Sequence, residues 1–192
     1  MHRIQRRTSP GAALRVATAA SGCAAASARF FPAGASAARR DGSIHYDLEA
    51  SGAKLGDAKV WTAGAHPAGS AGRSALVHVG LRVRNASPHR FRLDMAQTGL
   101  ELVTRAGRLV FVDDAVRVFG ESEVEPGRLA RFELYFPLPE GLEPEDIAAF
   151  DFNWALEIGP ERMLTSTTFE APRRRGAPTP ALAPLGPELG LR

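Results

Sequence analysis

Between residues 74 and 85 the chain reads Ser-Ala-Leu-Val-His-Val-Gly-Leu-Arg-Val-Arg-Asn, and apolar residues recur at every second place: Val77, Val79, Leu81 and Val83. His78, Gly80, Arg82 and Arg84 fill the places between. A period of two is the pleat of a strand with one face in a core and the other in water. A helix would repeat its apolar stripe every three or four residues instead. His78 is therefore expected on the wet face. Asn85-Ala-Ser-Pro88 ends the segment, because proline brings no N–H to a ladder and Asn and Ser favour turns.

The same alternation returns along the chain. Ile44, Tyr46 and Leu48 suggest a short strand, and residues 58–63, with Val60 and Trp61, suggest another before a Gly-, Ala- and Ser-rich loop over 64–72. Phe91 and Leu93 alternate with Arg90, Arg92 and Asp94. Residues 100–104 and 108–112 flank Arg105-Ala-Gly107 and read as a hairpin. Glu125-Pro-Gly127 marks a turn, with proline fixing φ and glycine free to take a positive one. Phe132, Leu134 and Phe136 then point one way and Arg131, Glu133 and Tyr135 the other. Phe150, Phe152, Trp154, Leu156 and Ile158 form the longest alternating set, and Gly159-Pro160 turns the chain into a last strand over 163–169. Short strands, turn residues between them and no helical period predict an all-β antiparallel sandwich with Trp154 as a plug between its layers.

Charge divides the 192 residues into three parts. Residues 43–170 hold 13 Lys and Arg against 19 Asp and Glu, while the two ends hold 11 against 2. The basic pI therefore belongs to the tails, and the acidic middle argues against nucleic acid as a partner. The single cysteine, Cys23, rules out an intrachain disulfide and a Cys-based zinc or Cys/His copper site in the core. No cofactor is expected.

Residues 1–42 read as a leader and flexible spacer. Arg3, Arg6 and Arg7 make a positive start, and residues 11–28 are mostly small and apolar, with Arg15 interrupting them. Ala20-Ser-Gly-Cys23 resembles the bacterial lipobox, which implies a lipidated Cys23, although Ala20 stands where that pattern wants Leu. Ala26-Ser-Ala28 offers a soluble-secretion peptidase a site instead, and a plain alanine-rich arm is the third reading. Residues 171–192, rich in proline and carrying Arg173-Arg-Arg175, are expected to be a disordered tail. That leaves 43–170 as the folded domain.

A resemblance follows from these pieces. The valine-rich strand ending Val83-Arg-Asn-Ala-Ser87, the hairpin around Gly107 and the run Val124-Glu-Pro-Gly-Arg-Leu-Ala-Arg-Phe-Glu-Leu-Tyr-Phe-Pro137 are similar to the small immunoglobulin-like domains of bacterial secreted proteins and lipoproteins. The resemblance covers residues 74–158 and implies an immunoglobulin-like antiparallel β-sandwich without catalytic residues.

Several side-chain sets are candidate sites. Arg82 and Arg84 share a face, and Arg90 and Arg92 follow the turn; if the two segments are neighbours, four guanidiniums make a local anion patch. Asp113, Asp114, Glu121, Glu123 and Glu125 could give oxygen ligands to calcium if their loop folds back on itself. A solvated acidic edge, which discourages strand-to-strand aggregation, explains the same residues. Ser51-Gly-Ala-Lys54 has Ser-x-x-Lys spacing, but Gly52 and Gly56 spoil the helix that such chemistry needs. The histidines have no ligand-like spacing.

The chain is therefore expected to be a non-enzymatic exported module of the cell envelope or periplasm, or else secreted. It would bind an envelope protein or glycan through a sheet edge or loops, and meet the membrane only through a lipid anchor. The alternatives are a calcium-binding domain using residues 113–125 and a hydrolase with an unrecognised site.

Overall fold

Residue alternation translates directly into two stacked antiparallel sheets. The structure is a computed structural model that describes residues 27–33, 42–50, 52–67, 74–115, 117–120 and 122–172. Cys23, most of the expected leader and all of the expected tail but Ala171 and Pro172 lie outside them.

In chain order the strands are β1 (Phe31–Pro32), β2 (Ser43–Ala50), β3 (Ala53–His66), β4 (Leu76–Asn85), β5 (Phe91–Leu93) and β6 (Gly99–Thr104). They continue with β7 (Leu109–Val112), β8 (Arg117–Phe119), β9 (Glu123–Val124), β10 (Leu129–Pro137), β11 (Ile147–Ile158) and β12 (Glu161–Glu170). Five form one sheet in the order β2-β3-β4-β10-β8, and seven form the other. In the second sheet β11 is the spine. It pairs with β12 along one side, and on the other with β6 over its first half and β5 over its last three residues. Outside these, β9 extends β5, β7 extends β6 and β1 extends β12.

The sandwich closes over the side chains that the alternation pointed inward. Val79, Phe132, Leu134, Phe136 and Trp154 are all buried. Across β4 and β10, Val79 faces Leu134, Val77 faces Phe136 and Leu81 faces Phe132, so one apolar layer is built from matched pairs. Phe136 meets Phe152 of the opposite sheet edge to face at 6.2 Å, and Phe150 stacks on Phe169 at 5.1 Å. Truncating any of these aromatics to alanine would cost about 3–5 kcal/mol.

Two boundaries differ from the sequence expectation. The second strand runs over Ala53–His66 instead of stopping at 63, because a bulge between Trp61 and Gly64 absorbs the irregularity that reads as a loop. Gly64 takes a φ of 102°, and its Cα lies against the Ala28 carbonyl, where a side chain would not fit. The glycine thus marks close backbone approach. The folded unit also begins before residue 43. Ala28 exchanges backbone hydrogen bonds with Ala65, Phe30 is buried against Phe150, and β1 pairs with β12, so residues 27–33 belong to the sandwich and not to the expected spacer.

Where β4 leaves its sheet, Asn85 holds the corner. Its buried amide donates to the carbonyls of His89 (2.7 Å) and Val124 (2.9 Å) and accepts from the Ser87 N–H (2.9 Å). The turn expected from Asn85-Ala-Ser-Pro88 is thus the passage from one sheet to the other.

Candidate functional site

The four arginines do not assemble. Arg82 and Arg84 stand on the outer face of β4 in the five-stranded sheet, whereas Arg92 is in β5 of the seven-stranded sheet and Arg90 immediately precedes it. Alternation places pairs correctly on each strand, but the chain changes sheet at the corner between them. Three of the four also have carboxylate partners. Arg84 pairs with Asp57 at 2.5 Å, Arg92 with Glu157 at 2.5 Å, and Arg90 with both Glu123 and Glu125 at 2.7 Å. The hydrogen bond that Arg90 donates to Glu125 and the charge of Glu123 push the Arg90 pKa above its ordinary value, and Glu157 does the same to Arg92. Arg82 has no ion pair with a described residue.

The acidic segment corrects the calcium expectation in the same way. Its described residues divide between the sheets: β8 joins the five-stranded sheet beside β10, and β9 joins the seven-stranded sheet beside β5. Glu123 and Glu125 face Arg90, Asp113 and Asp114 are exposed beyond β7, and Glu121 lies outside the described residues. Among the described residues no group of three or more His, Cys, Asp or Glu is gathered for a metal ion. In the Ser-x-x-Lys pair, Ser51 lies outside the described residues and Lys54 bonds to Asp47. That bond raises the Lys54 pKa, the opposite of what a lysine base requires.

His78 is where alternation misleads most. Its side chain does lie on the outer side of β4, yet only 7% of it is exposed. The β3 bulge turns the Ala63 N–H onto Nδ1 at 3.0 Å, and Nε2 meets Glu133 Oε2 at 2.5 Å. Because Nδ1 accepts from a backbone N–H, the ring proton belongs on Nε2, which donates to Glu133. The Thr62 hydroxyl donates to the His78 carbonyl and accepts from the Gly64 N–H, so both ends of the bulge are held from this residue. Tyr135 packs against the ring at 5.0 Å. Beside it the Trp61 indole covers Gly80 and carries the Arg131 guanidinium 4.9 Å above its ring, while Arg131 also bonds to Glu133. Arg131 and Glu133 were legible as one outward set and Trp61 only as part of a strand, and the missing signal was the register that puts the three side by side.

The outer face of the seven-stranded sheet is different in character. Asn153 of β11 stands between two open depressions, one walled by Gln97, Phe111 and Asp113, the other by Gln97, Leu164 and Ser166. Leu109 and Phe111 project outward from β7 and are 54% and 64% exposed, and Leu164 of β12 is 67% exposed. Among the described residues β7 pairs with β6 alone, so its second edge carries open backbone donors and acceptors.

No family model and no curated protein matches this chain. Among solved structures it is similar to a FixG-related protein from Vibrio parahaemolyticus, with 15% identity over 62% of this chain and 97% of that one and a TM-score of 0.38. It is also similar to Northeast Structural Genomics Consortium target SoR45, with 12% identity over 70% of this chain and 93% of that one, again at a TM-score of 0.38.

Proposed function

We propose that the protein is an exported, non-enzymatic accessory module of the cell envelope that works by binding another envelope component. The observation that carries this reading is the β7 edge, where Leu109 and Phe111 stand exposed side by side next to a backbone edge that no described strand pairs. Apolar side chains of this size on the surface mark interaction sites. A free edge adds main-chain hydrogen bonding, and alternate side chains add selectivity, as in strand-addition binding. The leader-like residues before the fold support export, and the resemblance to small immunoglobulin-like domains of secreted proteins agrees with a role without catalysis.

Two measurements test the reading. Cells expressing the full chain are fractionated with and without Cys23→Ser: recovery in the envelope is expected, with release from the membrane in the variant. A photoreactive residue at position 111 is expected to form an adduct in the envelope fraction that the same group at exposed Arg105 does not. Cytoplasmic retention of both forms, together with no adduct specific to position 111, would overturn the proposal.

A further inference from the structure

The turn that leads into β7 fixes which of its backbone groups reach the outer edge. There the Thr104 N–H donates to the Arg108 carbonyl, and the Gly107 N–H donates to the Thr104 carbonyl. Along an antiparallel ladder, residues bond alternately to the strand on one side and to the strand on the other. With Leu102 opposite Val110 and Leu100 opposite Val112, it is Val110 and Val112 that turn their N–H and C=O groups toward β6. Leu109 and Phe111 therefore turn theirs to the edge that no described strand pairs. The same two residues carry the exposed side chains, on the outer face of the sheet. Between Arg108 and Asp113 the strand reads Leu-Val-Phe-Val, without the charge or proline that guards a solvent-facing edge.

From this phase we infer that β7 pairs with β7 of a second copy of the chain, antiparallel, about a two-fold axis through Val110. The inference rests on the reading of the β7 edge given above and names the component bound there. Residues directly opposite in an antiparallel pair put their side chains on one face, which limits the registers to those with a residue on the axis. With Val110 there, Leu109 lies opposite the partner's Phe111, and Phe111 lies opposite the partner's Leu109. These are the residues whose backbone groups face the edge, so each pair exchanges two main-chain hydrogen bonds and an apolar contact. Moving the axis to Phe111 would set Leu109 against a carboxylate, that of Asp113, and moving it to Leu109 would set Phe111 against Gly107. Charge agrees with Val110 as well. Arg108 then stands diagonal to the partner's Asp114, within reach of a long side chain. Both are exposed and neither has an ion pair with a described residue. A strand of another protein would not require apolar and charged positions to match under a two-fold, whereas a second copy does. The pairing joins the two seven-stranded sheets and leaves neither β7 edge open. With only four residues of β7 on each side, the product is a reversible dimer.

Sedimentation equilibrium of the full chain tests this, with a concentration-dependent dimer expected. Phe111→Lys is expected to weaken it by about tenfold or more while the melting temperature is retained. Leu164→Lys, at an equally exposed apolar position on β12, leaves it unchanged. Arg108→Asp and Asp114→Arg each weaken the dimer, and the two together restore it, a result that loss of folding would not give. Register is read by disulfide formation in a Cys23→Ser background. Val110→Cys is expected to link to its own copy, since residues on the axis lie ~4.5–5.5 Å apart, within disulfide reach. Phe111→Cys, diagonal to its own copy, is expected to link poorly. A chain that stays monomeric at about 1 mM overturns the inference. So does a dimer indifferent to Phe111→Lys, and linkage through Phe111→Cys without linkage through Val110→Cys overturns the register. An adduct from position 111 that holds a different protein, with no dimer in solution, leaves the edge reading standing and this inference fallen. A dimer from a chain retained in the cytoplasm does the reverse.

Discussion

Gly80 and Trp61 face each other across β3 and β4, and the indole occupies the space where a Gly80 side chain would begin. A methyl group there would overlap the atoms of the five-membered ring and its neighbour. Gly80→Ala is therefore expected to destabilise the fold by about 1–3 kcal/mol, the ordinary cost of overpacking. In a Trp61→Ala background the same change should cost little. Urea unfolding of the double-mutant cycle measures the coupling, and additivity of the two changes would contradict the packing described.

At Asn85 the prediction concerns unsatisfied polar groups. Asn85→Ala removes an amide that serves the His89 and Val124 carbonyls and the Ser87 N–H in a buried corner. The expected loss is about 2–3 kcal/mol, since buried groups without partners are costly. Asn85→Asp should cost more at neutral pH and recover part of the loss on acidification, because a carboxylate facing two carbonyls is tolerated only when protonated. Equilibrium denaturation at pH 4 and pH 7 reads both.

Thr167 links the two layers at one side of the sandwich. Its hydroxyl lies 2.8 Å from the Tyr46 hydroxyl and accepts from Trp154 Nε1 at 3.1 Å. Thr167→Val leaves the buried indole N–H without that partner and is expected to cost about 1–3 kcal/mol. Burial pushes the Tyr46 phenol above its ordinary value of 10.0, against a smaller downward effect of the Thr167 bond. The folded state keeps this proton where the unfolded chain would release it. The stability contributed is thus complete below about pH 10 and is lost as pH rises through the raised value. Tyr46→Phe should flatten the alkaline fall in the denaturation midpoint while lowering stability at neutral pH by about 1 kcal/mol.

His78 pins the β3 bulge, so its replacement should be felt locally. In His78→Leu the Ala63 N–H loses its acceptor and Glu133 loses a donor. Amide hydrogen exchange at Ala63 should accelerate more than at Ala58, which lies in the regular part of β3. A uniform change along β3 would show that the bulge is held by other contacts.

Much of the architecture is readable from residue order because it rests on local physics. In β11, Phe150, Phe152, Trp154, Leu156 and Ile158 alternate with Asp151, Asn153, Ala155 and Glu157, and only a strand puts all five on one side. The hairpin at Gly107 and the turn at Gly127 lie where glycine takes a positive φ, 78° and 73°. What escapes such reading is any contact whose partner is set by distance in space. Arg82 reads as a companion of Arg90 and Arg92, its neighbours along the chain, but its neighbours across the sheet are Lys59 and Arg131, set 23 positions before and 49 after it. His78 reads as wet because its strand parity is outward, yet a bulge in another strand and the aromatic Tyr135 cover it.

The sequence by itself determined which side chains of the long strands turn inward, where several turns fall and how charge separates the middle from the tails, since alternation, turn chemistry and composition act over a few residues. Tertiary structure alone decided which outward side chains stand together. That choice depends on register, on one bulge between Trp61 and Gly64 and on the corner at Asn85, and a shift of one residue in any pairing would exchange the faces and part these neighbours.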